Sequence, residues 1–76
     1  MILNDFITNI AQQFLDEDQS KVDASIKFRS LPTYDSLTAM AILTFIQDEY
    51  GVNIPVDDFR KMETVTELFD YVKSHK

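Results

Sequence analysis

Cysteine is absent from this chain of 76 residues, and glycine, proline and histidine are scarce. Without cysteine, neither a disulfide bond nor a cysteine-based zinc site can supplement the hydrophobic core. One glycine and two prolines favour helices over a β fold, which needs frequent turns. The single histidine, His75, lies close to the C-terminus, so neither a nucleophilic triad nor a histidine-rich metal site is supported. We therefore expect no catalytic residue, no metal ligand and no enzymatic activity.

Basic residues are also few, since 7 Lys and Arg stand against 13 Asp and Glu and give a formal net charge of −6. Such a surface repels phosphate backbones and anionic lipids, so nucleic acid and membranes are poor partners and basic protein surfaces are better ones. Neither a basic leader nor a long uncharged span is visible, and Met1 leads directly into an amphipathic segment. We expect a cytoplasmic monomer that does not insert into membranes.

The hydrophobic content is 45%, with six Phe and three Tyr, which is enough to fold. At this length the chain is expected to form a single domain over residues 1–76, close to the size at which one core is only just sufficient.

The N-terminal third predicts one amphipathic helix followed by a long loop. Apolar residues recur at the i, i+3, i+4, i+7 spacing from Ile2 to about Leu15, where a run of acids ends the pattern. The loop from Asp16 to Tyr34 has no strong periodicity. Its apolar residues, Val22, Ile26 and Phe28, are candidates to anchor it on the bundle.

Three further helices follow from local signals. A second helix should begin at Asp35 or Ser36 and end at Tyr50, with Gly51 as a left-handed cap. A short third helix is predicted from Asp57 to Met62. The last helix should start at Thr64, where Thr64 and Glu67 form a capping box, and bury Val65, Leu68, Phe69 and Val72. The fold class is thus an all-α, four-helix bundle with a long first loop and a short third helix.

The acidic loop has a weak likeness to a calcium-binding EF-hand, because Asp16, Asp18 and Ser20 stand at alternating positions. That motif requires glycine at its sixth position and a bidentate glutamate at its twelfth. Lys21 and Lys27 occupy those positions here. A cation at the place of the main ligand excludes the calcium site, and the stretch is interpreted as a solvated loop.

The second helix is apolar on two sides when successive residues are placed 100° apart. One side carries Ala39, Ile42, Leu43, Ile46 and Tyr50. The other carries Leu37, Met40, Ala41 and Thr44, with Asp48 at its far end. Such a helix is either buried on both sides or leaves one side for a partner. In the second case the nearby acids, Asp35 and Asp48, would steer a basic partner.

The residues "TYDSLTAM" at 33–40 pose the main functional question. Ser36 follows an acid and precedes an apolar helix, which is the ordinary place of a helix cap. The same place also suits a hydroxyl that receives a group. The tripeptide "DSL" alone leaves both readings open.

The order of features along nearly the whole chain resembles that of an acyl carrier protein. An amphipathic helix is followed by a long loop with an anchoring Phe28, and then by "DSL" opening a helix that ends in "DEYGV". "NIP", "DD" and a last helix beginning "TVTEL" complete the pattern. The family shares these features at very similar spacings, and their joint occurrence is far more specific than the tripeptide.

The resemblance implies that Ser36, with Asp35 as its motif neighbour, receives 4′-phosphopantetheine from coenzyme A. The chain would then carry acyl or aminoacyl groups as thioesters on that arm, and the prosthetic group would supply the thiol that the chain lacks. Its partners would be a phosphopantetheinyl transferase and the enzymes that load and unload the arm. These partners would dock on Asp35, Leu37, Met40, Ala41 and Asp48.

The resemblance also implies a cavity that can shelter a short acyl chain among the helices. The candidate lining residues are Ile46, Ile54, Phe59, Met62 and Leu68. Family members often have a smaller residue where Phe59 stands, so a narrow cavity is expected. Each buried methylene is worth at most about 0.8 kcal/mol, so several are needed to offset opening the core.

The chain departs from the family pattern around the serine. Carriers of primary fatty acid synthesis usually have glycine where Thr33 stands and acids where Thr38 and Ala41 stand. A specialised carrier for amino-acid, polyketide or glycan-modifying chemistry therefore remains open beside a fatty acid carrier. The alternative from another class is an unmodified helical adaptor that grips a protein with the same apolar face of the second helix.

Overall fold

The computed structural model of this chain describes residues 2–14 and 21–76. In chain order these residues form α1 (Leu3–Ala11), a 3-10 helix (Phe28–Ser30), α2 (Ser36–Tyr50), α3 (Val56–Phe59) and α4 (Val65–His75). Within those two stretches there is no β-strand, only an isolated antiparallel bridge between Lys27 and Thr64. The predicted all-α fold, with a long first connection and a short third helix, is confirmed. Leu15 and the acids of the rejected calcium motif lie outside the described residues.

The first helix ends earlier than predicted. α1 stops at Ala11, and the chain continues in tighter turns in which the Gln13 and Phe14 amides donate to the carbonyls three residues back, at 3.0 and 3.1 Å. Such i→i+3 bonds commonly close a helix end. They bring the Phe14 side chain into the core, where it is 2% exposed. Apolar periodicity therefore continued past the true helix end because the turn keeps Phe14 on the buried side.

The second helix has the predicted ends, with Asp35 rather than Ser36 as the capping residue. Asp35 has extended backbone angles, and its carboxylate accepts a hydrogen bond from the Thr38 amide. At the other end Gly51 has a φ of 70°, and its amide donates to the Gln47 carbonyl. Glycine suits this left-handed conformation because it has no Cβ to clash there.

The last two helices share the C-terminal quarter of the chain. α3 begins at Val56 and ends at Phe59, so the predicted range of Asp57 to Met62 was shifted and too long. The residues up to Met62 form a turn with i→i+3 bonds instead of helix. The predicted capping box of α4 is present, because Thr64 accepts from the Glu67 amide while the Glu67 carboxylate accepts from the Thr64 amide.

The core is one cluster to which every helix contributes. α1 packs against α4, and the Phe6 ring lies 5.5 Å from that of Phe69 and 5.6 Å from that of Tyr50. The side chains with no exposed surface include Phe6, Ile10, Phe28, Ile42, Ile46, Val65, Leu68 and Val72. Aromatic rings bury large apolar areas, which suits a chain with so few residues to enclose a core.

The segment from 21 to 35 is hydrogen-bonded to the start of α4 and to the residue that precedes its cap. Val22 and Phe28 are buried and Ile26 is partly buried, as their apolar character predicted. The Phe28 amide donates to the Glu63 carbonyl at 3.0 Å, and Thr66 donates from its amide and its hydroxyl to the Ala24 carbonyl, at 3.0 and 2.7 Å. This long connection is therefore an ordered layer over the bundle through most of its described length.

Candidate functional site

Ser36 is the first residue of α2, and it is exposed. The capping hydrogen bonds belong to Asp35, whose Oδ1 accepts from the Thr38 amide at 2.9 Å and from the Thr38 hydroxyl at 3.1 Å. The interpretation of Ser36 as the cap is therefore wrong, and Asp35 satisfies the helix terminus. The Ser36 hydroxyl is left at the surface of an ordered helix start, where a group can be attached without breaking the cap.

The charge beside Ser36 is negative. Hydrogen bonds from the Thr38 amide and hydroxyl, with a further one from the Leu37 amide, hold the pKa of Asp35 below its usual value of 3.8. The carboxylate is therefore ionised at neutral pH and occupies the amides that would otherwise face an anion at this helix end. A phosphodiester on Ser36 would fit sterically, because the side chain is exposed, but it would receive little electrostatic help from the helix.

Arg29 contacts the segment that precedes Ser36 through Tyr34. The Tyr34 hydroxyl accepts a hydrogen bond from the Arg29 guanidinium at 3.2 Å, and the Tyr34 ring packs on Phe28 and Phe14. Burial raises the pKa of Tyr34, and the Arg29 charge offsets part of that rise. Sequence reasoning missed Arg29, since two of its partners lie 33 and 30 residues away along the chain. An arginine next to the anchoring Phe28 was the available signal.

The outer face of α2 is open. Leu37 and Met40 are 77% and 65% exposed, and Val56, at the start of α3, is 55% exposed. Ala41 is partly exposed and Asp48 exposed, while Ile42 and Ile46 on the opposite face have no exposed surface. Of the two possibilities for this two-sided helix, the described residues therefore favour a free apolar face over burial on both sides.

The five residues predicted to line an acyl cavity all belong to the core. Ile46, Ile54, Phe59, Met62 and Leu68 are between 0 and 7% exposed and lie in one cluster. An open surface cleft of about 380 Å³ lies elsewhere, along α4, and has only Met62 in common with them. Its other lining residues are Glu67, Asp70, Tyr71, Ser74 and His75.

Neither a metal site nor a membrane-spanning helix is found among the described residues. Over residues 2–14 and 21–76, no group of three or more histidine, aspartate or glutamate side chains is placed to hold a metal ion. Among the helices that the structure describes, none combines the length and the apolar character needed to cross a membrane.

Comparison with known proteins assigns the chain to a family. A family model described as a phosphopantetheine attachment site matches residues 5–72. An acyl carrier protein of Lactobacillus johnsonii is 31% identical over 99% of this chain and 92% of its own length. Acyl carrier proteins of Rubrobacter xylanophilus and Rickettsia canadensis are 31% and 27% identical over 92% of this chain and 86% and 81% of theirs.

The helical fold and the family match together define a phosphopantetheine-dependent carrier, which acts through a covalently attached 4′-phosphopantetheine and is not an enzyme. The chain belongs to the acyl carrier protein family. Membership implies interaction with a phosphopantetheinyl transferase and with enzymes that handle acyl groups.

Proposed function

We propose that Ser36 is the residue that bears the phosphopantetheine arm. The observation that supports this most directly is that Asp35 and Ser36 have different roles at the start of α2. Asp35 caps the helix through Thr38, and the neighbouring Ser36 hydroxyl is exposed and not needed for the cap. In the transfer, the Ser36 oxygen forms a phosphodiester with the pantetheine phosphate of coenzyme A. Adenosine 3′,5′-bisphosphate leaves, and the hydroxyl proton is released.

The chain's own residues supply access and recognition in this step. The charged, hydrogen-bonded Asp35 has no role as a base for Ser36, because its depressed pKa makes it a poor proton acceptor. The transferase would therefore provide the base. We further propose that the transferase and the loading enzymes dock on Leu37, Met40 and Ala41, flanked by Asp35 and Asp48. The exposure of Leu37 and Met40 at the side of Ser36 supports this.

The cargo is an acyl or aminoacyl group held as a thioester and delivered to a partner enzyme. Because α2 has no acid in its first turn after Asp35, a partner would meet a more apolar surface than in typical fatty acid carriers. This supports a specialised carrier as much as a housekeeping one. If an acyl chain enters the bundle, the core residues Ile46, Ile54, Phe59, Met62 and Leu68 would line its path.

The proposal also includes a cytoplasmic location and a monomeric state. Size-exclusion chromatography with light scattering tests the monomeric state.

The deciding experiment is an intact mass after incubation with coenzyme A and a broad-specificity phosphopantetheinyl transferase. The wild-type chain and Ser74→Ala, which removes another exposed helical serine, should each gain one phosphopantetheine. Ser36→Ala should gain none while keeping a wild-type circular dichroism spectrum. Modification of Ser36→Ala would move the attachment to another residue and refute the assignment.

The second candidate function is an unmodified adaptor that binds a protein through the apolar face of α2. The exposure of Leu37 and Met40 is the observation in its favour. The same experiment separates the two functions, because an adaptor would keep its partner binding in Ser36→Ala. A folded wild-type chain that gains no mass with several transferases would favour the adaptor.

A further inference from the structure

Arg29 makes a set of contacts that the attachment of the arm does not require. Its Nε donates to the Met62 carbonyl at 2.8 Å, and a second guanidinium nitrogen donates to the Phe59 carbonyl. The third nitrogen donates to the Tyr34 hydroxyl at 3.2 Å. One side chain thus joins the 3-10 helix, the last carbonyl of α3, the turn after α3 and the segment two residues before Ser36.

The same guanidinium covers an aromatic cluster. Its central carbon lies 4.6 Å from the centre of the Phe59 ring, 5.3 Å from that of Phe28 and 5.8 Å from that of Tyr34. The rings of Phe28 and Phe59 are themselves 5.9 Å apart. A planar cation over aromatic faces is attractive, more so when it is partly desolvated as here. Arg29 therefore fixes the Phe59 side chain as well as its carbonyl.

α3 depends on such contacts for its position. It has four residues, too few for a helix that is stable in isolation, and Pro55 at its start gives no side-chain cap. The carbonyls at a helix end lack intrahelical partners. Arg29 donates to one of them, the Phe59 carbonyl, and to the Met62 carbonyl in the turn that follows α3. α3 lies between Ile54 and Met62 along the chain and contributes Phe59 to the same core cluster, so a chain that enters among these residues would have to displace it.

We propose that Arg29 is a latch that holds α3 and Phe59 closed over the core, so that this carrier keeps its cargo outside the bundle. This inference rests on the proposed attachment at Ser36 and names the cargo class it suits: short or polar acyl and aminoacyl groups that gain nothing from an apolar shelter. Arg29 acts by positioning α3, and it contacts neither the arm nor the reacting atoms.

The test is a series of loaded proteins with acetyl, butanoyl, hexanoyl and octanoyl arms, each checked by intact mass. In the wild type, the unfolding midpoint should not change with chain length. In Arg29→Met, which keeps the apolar stem and removes the hydrogen bonds, it should rise by at least about 4 °C from butanoyl to octanoyl as the chain enters the core. Comparing chain lengths within one variant cancels any loss of stability that the substitution itself causes.

The controls separate the latch from a general loss of stability. Arg60→Met removes an exposed arginine next to α3 and should behave as the wild type. Arg29→Lys keeps the positive charge but lacks the planar set of hydrogen-bond donors of a guanidinium. It should therefore resemble Arg29→Met. Shifts of the Ile54 and Leu68 methyl resonances with chain length should appear only in the two Arg29 variants.

Three results would overturn the proposal. The first is a wild-type unfolding midpoint that rises with acyl chain length as steeply as in Arg29→Met. The second is an unfolding midpoint that does not rise with chain length in either Arg29 variant. The third is a midpoint that rises with chain length in Phe59→Ala but not in Arg29→Met. The last would mean that the bulk of Phe59 closes the core unaided. A failure of the Ser36 assignment would show earlier and separately, as a missing mass gain.

Hydrogen exchange of the unmodified protein tests the latch without any arm. The Phe59 amide donates to the Pro55 carbonyl at the start of α3, and the Met62 amide donates to the Phe59 carbonyl at its end, whereas the Leu68 amide reports on α4. Arg29→Met should speed exchange at Phe59 and Met62 about tenfold or more relative to Leu68. An equal acceleration at all three amides would make Arg29 a general stabiliser and refute the latch.

Discussion

At the scale of single residues, the site depends on two neighbours with separate tasks. Asp35 stabilises the start of α2 and stays ionised, while Ser36 offers its hydroxyl to solvent. Because Asp35 makes the cap, the start of the helix does not depend on Ser36. The pairing also explains why a short motif is ambiguous, since either residue type caps helices well.

Replacing Ser36 with alanine should leave the fold nearly as stable as before. The hydroxyl is exposed and the cap is Asp35, so the free energy of unfolding should change by no more than about 0.5 kcal/mol. Removing a working cap, as in Thr64→Ala at α4, should cost about 0.5–2 kcal/mol. Urea denaturation of both variants compares them directly. A loss in Ser36→Ala as large as that in Thr64→Ala would return a capping role to Ser36.

Asp35 should give the protein part of its acid sensitivity. Its pKa in the folded state is depressed, so the folded protein binds its proton less readily than the unfolded chain does. The stabilisation is fully present above the unfolded pKa of about 3.9 and is lost as the pH falls through the lower folded value. Asp35→Asn should therefore flatten the dependence of the unfolding midpoint on pH below about 4, measured by circular dichroism. Asp48→Asn, on the same helix, controls for removing one acid.

At the scale of elements, features that depend on local hydrogen bonds were predictable from the sequence, and features that depend on packing or on distant partners were not. Gly51 and the Thr64–Glu67 capping box were predictable because their hydrogen bonds join residues three or four positions apart. The ends of α1 and α3 were not, because turns that pack Phe14 and Met62 inward continue the apolar pattern beyond the helix. Arg29 was missed for a different reason, because its carbonyl partners are 30 and 33 residues away along the chain.

Gly51 should tolerate substitution poorly for conformational reasons alone. A Cβ added there meets nothing within 4 Å, so the cost comes from the φ of 70°. Gly51→Ala should lower the free energy of unfolding by about 1–2 kcal/mol, and Gly51→Asn should lower it less, because asparagine visits this region more readily. Thermal or urea unfolding of the two variants measures the difference. Equal losses would point to a packing effect instead.

The apolar face of α2 should contribute to transferase recognition. Met40→Ala removes an exposed side chain beside Ser36, and a loss of about 1–2 kcal/mol of binding would lower kcat/KM for modification roughly 5- to 30-fold. Ile2→Ala is the matched control, because Ile2 is equally exposed but lies at the start of α1. A wild-type rate for Met40→Ala would place the contact elsewhere.

At the scale of the whole molecule, the chain has a net charge of −6, and the structure measures about 29 × 25 × 20 Å. Electrostatic repulsion extends over about 30 Å at 0.01 M salt but only about 10 Å at 0.1 M. The acids therefore repel one another across the entire protein at low salt and only locally at higher salt. Self-repulsion of this kind destabilises a compact state.

The unfolding midpoint should accordingly rise between 0.01 and 0.2 M sodium chloride. The double substitution Asp48→Asn, Glu49→Gln lowers the negative charge on exposed positions of α2 and should reduce that rise. Differential scanning calorimetry at several salt concentrations provides the measurement. A midpoint that falls with salt would show that attractive ion pairs outweigh the repulsion.

If partner enzymes dock around Ser36, Leu37 and Met40, as proposed, the carrier can bind only one of them at a time. These residues lie within the first five positions of α2, which span about 7 Å of helix axis. A protein interface of ordinary size covers about 800 Å² on each side, a sixth of the 4757 Å² that this chain exposes. Two enzymes that both need this patch cannot share it. One enzyme would then have to dissociate before the next could bind, and competition among the enzymes for this patch would set the order of events.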